Sequence, residues 1–168
     1  MTKVYPTSIP EFVIREAGES DTALILTFIR RLAEYEGLSS EVIADEGTLL
    51  DSLFAKHQAD VIIGEFEGMP VAFALFFHNF STFLGKANLY LEDLFVDERY
   101  RGRGLGRAML ACLARIALER GCGRLDWWCL DRNEPSIRFY KRLGARPMDD
   151  WTVYRVDGDA LGHLARSL

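Results

Sequence analysis

Tyr90-Leu-Glu-Asp-Leu-Phe-Val96, followed three residues later by Tyr100-Arg-Gly-Arg-Gly-Leu-Gly106, is the stretch whose reading decides the fold. The first segment has strand composition, with apolar residues throughout except for an acidic pair at its centre. The second is a glycine-rich turn. It opens a helix whose inner face is Leu105, Met109, Leu113 and Ile116, spaced by three and four. Gly121 stands where such a helix would close. Beyond it, residues 124–130 read as a strand and Asn133-Glu-Pro-Ser136 as the start of a short helix ending at Gly144. Trp151 to Val156 reads as a last strand before a helical tail.

On the N-terminal side, residues 79–87 read as a long connection, and 61–66 and 71–77 as a hairpin around Glu67-Gly68-Met69-Pro70. A helix spans about Glu46 to Lys56. Another starts at Ser20 or Asp21, carries Leu24, Ile25, Phe28, Ile29, Leu32 and Tyr35 on one stripe, and stops at Gly37. Phe12 to Arg15 is a short strand, and residues 1–11, with Pro6 and Pro10, read as a tether. The order β-α-α-β-β-β-α-β-α-β predicts one α/β domain over 12–168, a mixed sheet with helices on both faces.

Composition narrows the partners. The chain has 168 residues and a net charge of −5, which argues against a general polyanion or nucleic-acid binder and favours cationic ligands. No apolar run reaches the roughly 18–20 residues of a membrane span. The N-terminal residues lack an apolar signal core. The expectation is a soluble cytoplasmic protein. Three cysteines without a CxxC pair predict neither a disulfide framework nor a zinc cluster. His57, His78 and His163 lack ligand spacing, so no metal is expected.

The chemistry lies in the deciding stretch. Strict alternation puts Tyr90, Glu92, Leu94 and Val96 on one face and Leu89, Leu91, Asp93 and Phe95 on the other. Each face then carries a carboxylate among apolar neighbours, which calls for a partner or a task. In the turn, Gly102, Gly104 and Gly106 let backbone approach a ligand closely, the helix start offers free N–H groups, and Arg101 and Arg103 add charge. Together these predict a pyrophosphate cradle. The Gly-x-Gly-x-Gly spacing fits neither a dinucleotide fingerprint nor a P-loop.

Arg101-x-x-Gly104-x-Gly106 resembles the pyrophosphate motif of the GNAT superfamily of N-acetyltransferases. With Tyr90–Val96 and Asn133-Glu-Pro-Ser-Ile-Arg-Phe-Tyr-Lys-Arg-Leu-Gly-Ala145, the chain is similar to the spermidine/spermine and thialysine N-acetyltransferase branch. Arg15, Leu32-Ala-Glu-Tyr-Glu36 and Trp151 extend the likeness over about residues 12–165.

The resemblance implies acetyl-CoA as acetyl donor and direct attack by an amine in a ternary complex. Glu92 would assist deprotonation of the amine, directly or through water, and Tyr140 would protonate the departing thiolate. Leu94, Phe95 and Val96 would pair with the pantetheine arm. Arg101, Gly102, Arg103, Gly104, Leu105, Gly106 and Arg107 would take the pyrophosphate. Asn133, Ser136 and Tyr140 would add contacts to the donor. Glu36, Glu92, Asp93, Asp126 and Trp128 are candidates for contact with the amine, with Glu34 and Asp131 also available. A polyamine- or diamine-like primary amine ranks first as acceptor, with thialysine or another amino-acid-like amine as the alternative. A non-catalytic acyl-CoA-binding module is the reading from a different class. The branch implies a homodimer.

Overall fold

The runs Val61-Ile-Ile and Val71-Ala-Phe-Ala-Leu-Phe-Phe77 are rich in the β-branched and aromatic residues that suit a pleated, buried surface. In the computed structural model, which describes residues 2–168, they form the middle of a six-stranded sheet. Its strands run in sequential order: β1 (Val4–Pro6), β2 (Phe12–Glu16), β3 (Asp60–Phe66), β4 (Met69–Ser81), β5 (Lys86–Val96) and β6 (Leu125–Trp127). All neighbours are antiparallel except β5 and β6, which are parallel. The helices are α1 (Thr22–Glu36), α2 (Glu46–Leu49, continued by a π-helical segment Leu50–Ala55), α3 (Leu105–Glu119), α4 (Glu134–Arg142) and α5 (Gly158–Ala165). The mixed α/β sheet is the expected architecture.

The chain divides into two compact units, Met1–Trp128 and Cys129–Leu168. In the first, Val61, Ile63, Phe73, Leu75 and Phe95 cluster with Ile25, Phe28 and Leu53 of the α1–α2 layer. Phe28 stacks on Phe73 with centroids 5.4 Å apart. Ile62, Ala72 and Ala74, out of phase with those residues, are fully buried too. Both sheet faces are therefore covered, as a near-continuous apolar run requires. Helix α3 packs on β2, β4 and β5, and its expected inner face of Leu105, Met109, Leu113 and Ile116 is buried. Each such side chain contributes roughly 1.5–3 kcal/mol on burial.

Arg15 staples this unit. Its guanidinium donates to both carboxylate oxygens of Asp21 at 2.7 and 2.9 Å, and its Nε to Glu65 at 2.8 Å. Asp21 holds the N-cap position of α1, as expected, but its carboxylate accepts from Gly18 N–H and Arg15 and makes no cap bond to the helix. At the other end, Gly37 adopts the left-handed conformation and closes α1. Among the described residues no helix is long and apolar enough to cross a membrane.

The structure corrects several sequence expectations. Residues 4–6, read within a tether, form an edge strand paired with β2, and Tyr5 is buried. Pro6 hid this, although an edge strand accepts proline. The connection read at 79–87 is mostly strand, because β4 and β5 extend to Ser81 and Lys86 around a four-residue turn. The strand read at 124–130 is confined to Leu125–Trp127.

In the second unit, Asn133 caps α4 by accepting from Ser136 N–H at 3.3 Å. Pro135 sits in the first helical turn, and Gly144 follows the helix with φ +90°. Residues 151–157 form no strand, which corrects the expectation for Trp151–Val156. Alternation shows only that a segment could pair; ladder hydrogen bonds must come from elsewhere in the chain. The expected helical tail is α5.

Candidate active site

The register between β4 and β5 breaks at the acidic pair. Leu75 faces Asp93 and Phe76 faces Leu91, which leaves Glu92 as an extra residue. Such a bulge bends the strand and re-aims side chains. It also corrects the strict alternation read from sequence, because the phase resets at residue 92. Glu92 is exposed, whereas Asp93 is half-buried.

Burial pushes the Asp93 carboxyl up to about 6, and the negative charges of Glu92 and Glu36 add to the effect. Three carboxylates from α1 and β5 thus gather at the bulge. The Tyr90 phenol is also pushed up, by burial first and then by Glu92 and Asp126. Asp126 lies opposite Tyr90 in the parallel register and pairs with Arg124 at 2.9 Å. The Tyr90 ring packs on Phe77 at 5.1 Å and meets the edge of Trp128 at 6.0 Å. Glu36, Glu92 and Asp93 therefore lie together, while Asp126 and Trp128 border Tyr90, a residue to which sequence reading gave no role.

The raised Asp93 value has a measurable sign. Its folded-state value lies above the ordinary carboxyl value of roughly 3.9. The protonated group's contribution to stability is fully present below that value and is lost as pH rises through about 6. Asp93→Asn is therefore expected to raise stability at neutral pH by about 1–3 kcal/mol and to change little near pH ~4. Thermal melting across this range checks it; an equal gain at both pH values would contradict the assignment.

Beyond Leu91 the strands separate. β6 pairs with β5 only at Leu89, Tyr90 and Leu91, so the β6-side edge of residues 92–96 pairs with no strand among the described residues. An open edge of this kind offers main-chain groups to an extended ligand. It contains Leu94, Phe95 and Val96.

The glycine-rich turn follows. Gly102 and Gly104 have φ of +75° and +83°, left-handed values that disfavour any Cβ. A Cβ at Gly102 would meet nothing within 4 Å, and one at Gly104 only Ile9 Cδ1 at 3.6 Å. Open space above the turn, not packing, thus borders these positions. Ala108 N–H makes the first helical bond, to Gly104 O at 3.0 Å. The amides of Leu105, Gly106 and Arg107 precede it, at the positive end of a 15-residue helix. The turn fits a diphosphate through its main chain. The arginines are already engaged: Arg101 Nε donates to Val96 O at 3.0 Å, and its guanidinium lies 4.6 Å over the Tyr35 ring. Arg103 lies over Phe66 and Tyr100 at 5.4 and 5.5 Å.

In the second unit, Asn133 and Ser136 are joined by the α4 cap, and Tyr140 lies in the last turn of that helix. Its carbonyl accepts from Leu143 and Ala145 N–H groups at 3.0 and 3.1 Å. Burial pushes the Cys112 thiol up to about 11, so it is a poor nucleophile at neutral pH.

Comparison with known proteins adds four findings. The acetyltransferase (GNAT) family matches residues 26–145. Thialysine N-epsilon-acetyltransferase of Bos taurus is 36% identical over 165 residues, spanning 91% of this chain and 96% of that protein. L-ornithine N5-acetyltransferase of Arabidopsis thaliana is 42% identical over 89 residues, 53% of this chain and 39% of that one. Among solved structures, an integron cassette protein from the mobile metagenome of V. cholerae superposes with a TM-score of 0.78 at 27% identity, covering 93% of this chain and 98% of that one.

Proposed function

Because the chain belongs to the GNAT family of N-acetyltransferases, we propose that its acceptor is the primary amine at the end of a short, flexible, amino-acid-like side chain, of the thialysine or ornithine type. The observation that carries this reading is the gathering of Glu36, Glu92 and Asp93 at the inner end of the unpaired β5 edge. The likeness to thialysine and ornithine enzymes supports it.

An alkyl ammonium has an ordinary pKa of roughly 10.4 and cannot attack a carbonyl until it loses a proton. Acetyl-CoA supplies the activated acyl carbon as a thioester. Main-chain amides of residues 102–107 hold its diphosphate, and the open edge at Leu94–Val96 holds its arm. Asp93 and Glu36 attract the ammonium. Glu92, exposed at the bulge, takes its proton directly or through one water and passes it to solvent. Tyr140, by its place in the Phe-Tyr-Lys segment of α4, is the proton donor to the departing sulfur. Asn133 and Ser136 serve the donor from the start of that helix.

A second reading, a polyamine acceptor, is favoured by one observation. Asp126, paired with Arg124, acts on Tyr90 from β6, so carboxylates extend beyond the cluster at the bulge. Spaced cationic centres would suit such spaced carboxylates.

CoA thiol release with a panel of thialysine, lysine, ornithine and spermidine tests both readings. The expected result is a kcat/KM for the amino-acid amines at least about tenfold above that for spermidine, a difference of roughly 1.4 kcal/mol in transition-state binding. The reverse order would establish the polyamine reading. No thiol release with any of them would remove small primary amines as acceptors.

A further inference from the structure

Asp97 follows β5 and begins the segment that leads into the glycine-rich turn, and its carboxylate is enclosed. Its side chain is 3% exposed. Arg31 of α1 donates to Oδ2 at 2.9 Å, across 66 residues of sequence. Arg99 donates to Oδ1 through its main-chain N–H and through Nε, both at 3.1 Å, and to Oδ2 through Nη2 at 2.8 Å. The main chain of Asp97 is fixed as well, with N–H donating to Val71 O at 2.8 Å and its carbonyl accepting from Tyr100 N–H at 2.9 Å. The two guanidiniums hold this carboxyl well below the usual carboxylate range.

The same helix touches the turn again four residues later, where the Arg101 guanidinium lies over Tyr35. The next residue, Glu36, belongs to the carboxylate cluster around Asp93. The Phe95 ring lies between these contacts, with Arg31 at 5.0 Å and Arg101 at 6.0 Å from its centroid. Arg31 and Asp97 thus join the element that carries an amine-side carboxylate to the loop that leads into the diphosphate turn.

We propose that the Arg31–Asp97 ion pair is a latch that positions the loop of residues 98–107 for acetyl-CoA and couples it to the amine-binding end of α1. The proposal deepens the functional reading and rests on it. Neither residue touches substrate; both are positioning residues. An enclosed carboxylate with fixed partners holds its loop more sharply than solvated side chains do, because losing one guanidinium leaves charge under-compensated in a site closed to water. With the latch intact, the amides of the turn meet the diphosphate already ordered. Without it, ordering must be supplied by binding.

The test compares the wild-type protein with Arg31→Met, Arg31→Lys, Asp97→Asn and the Arg31→Met/Asp97→Asn double variant. Arg31→Met keeps the apolar stem on a half-exposed side chain, so folding should survive, and melting curves confirm it. Three quantities are read: hydrogen exchange of peptides covering residues 98–107, the Kd for acetyl-CoA, and kcat with thialysine. The expected result for Arg31→Met is faster exchange confined to that loop, a Kd raised roughly tenfold, and kcat within about threefold of wild type. Arg31→Lys should recover part of the affinity. The double variant should cost less than the sum of the single ones, the mark of a shared interaction.

Unchanged exchange and affinity in Arg31→Met would overturn the latch. Faster exchange with unchanged Kd would also overturn it, by separating loop order from cofactor binding. A wild-type protein that binds no acetyl-CoA would instead overturn the functional reading on which the latch depends.

Discussion

Tyr140→Phe is expected to lower kcat by roughly 10²–10⁴-fold, the range for losing a positioned proton donor. A phenol has an ordinary pKa of roughly 10, so it is protonated at neutral pH and able to donate as the carbon–sulfur bond breaks. Phenylalanine keeps the ring and removes only the hydroxyl. The contact between the Phe139 and Tyr140 rings, 5.4 Å apart, should persist, and so should the main-chain bonds that Leu143 and Ala145 make to the Tyr140 carbonyl. Acetyl-CoA affinity should therefore change by no more than about threefold, because the lost interaction belongs to the transition state. Measuring kcat and the acetyl-CoA Kd in parallel separates the two effects. A kcat near the wild-type value would remove Tyr140 from the role of acid. A loss seen only in Kd would make it a binding residue.

Gly104→Val should do the opposite, weakening acetyl-CoA binding severely. Gly104 has φ +83° and is the residue before α3. Valine, branched at Cβ, is poorly tolerated in that left-handed conformation, at a cost of order 1–3 kcal/mol. Its added methyl groups would also occupy the open space above the turn, where the diphosphate is expected to sit. Backbone strain and steric exclusion together predict a Kd raised by about 10²-fold or more, which corresponds to roughly 2.7 kcal/mol. Calorimetric titration with acetyl-CoA reads it directly. The core under α3 should be unaffected, because a Cβ at this position meets only Ile9. Retained affinity would show that the diphosphate is held elsewhere.

The features legible in sequence were those whose chemistry is local. Gly102 and Gly104 announced a special turn because φ preferences belong to single residues, whereas Gly106, read with them, lies within α3. The inner face of α3 followed from its spacing, and Gly121 and Asn133 from capping rules. The α/β order with a parallel portion was also within reach, because β5, α3 and β6 follow one another along the chain.

What escaped notice depends on distant partners. The bulge at Glu92 exists only in the register of β5 against β4, so period-two reading put Glu92 and Asp93 on clean opposite faces. Residues 4–6 lacked a strand pattern of their own and gain their structure by pairing with β2. Residues 151–156 had the pattern but form no strand. Nothing in the sequence brings Arg31 and Asp97 together, since they stand 66 residues apart. Tyr35 falls on the apolar stripe of α1 by spacing, yet it is exposed and carries the Arg101 guanidinium.

The extra residue in β5 also bears on how this protein could diversify. Before it, the strand's alternation is committed to the hydrophobic interior; after it, the count begins afresh. On the proposed function, substitutions among the acids at that step would alter which acceptor is preferred without repacking the sheet beneath. A lineage could thus change its choice of amine by a few exchanges at one strand irregularity, with little penalty in foldedness.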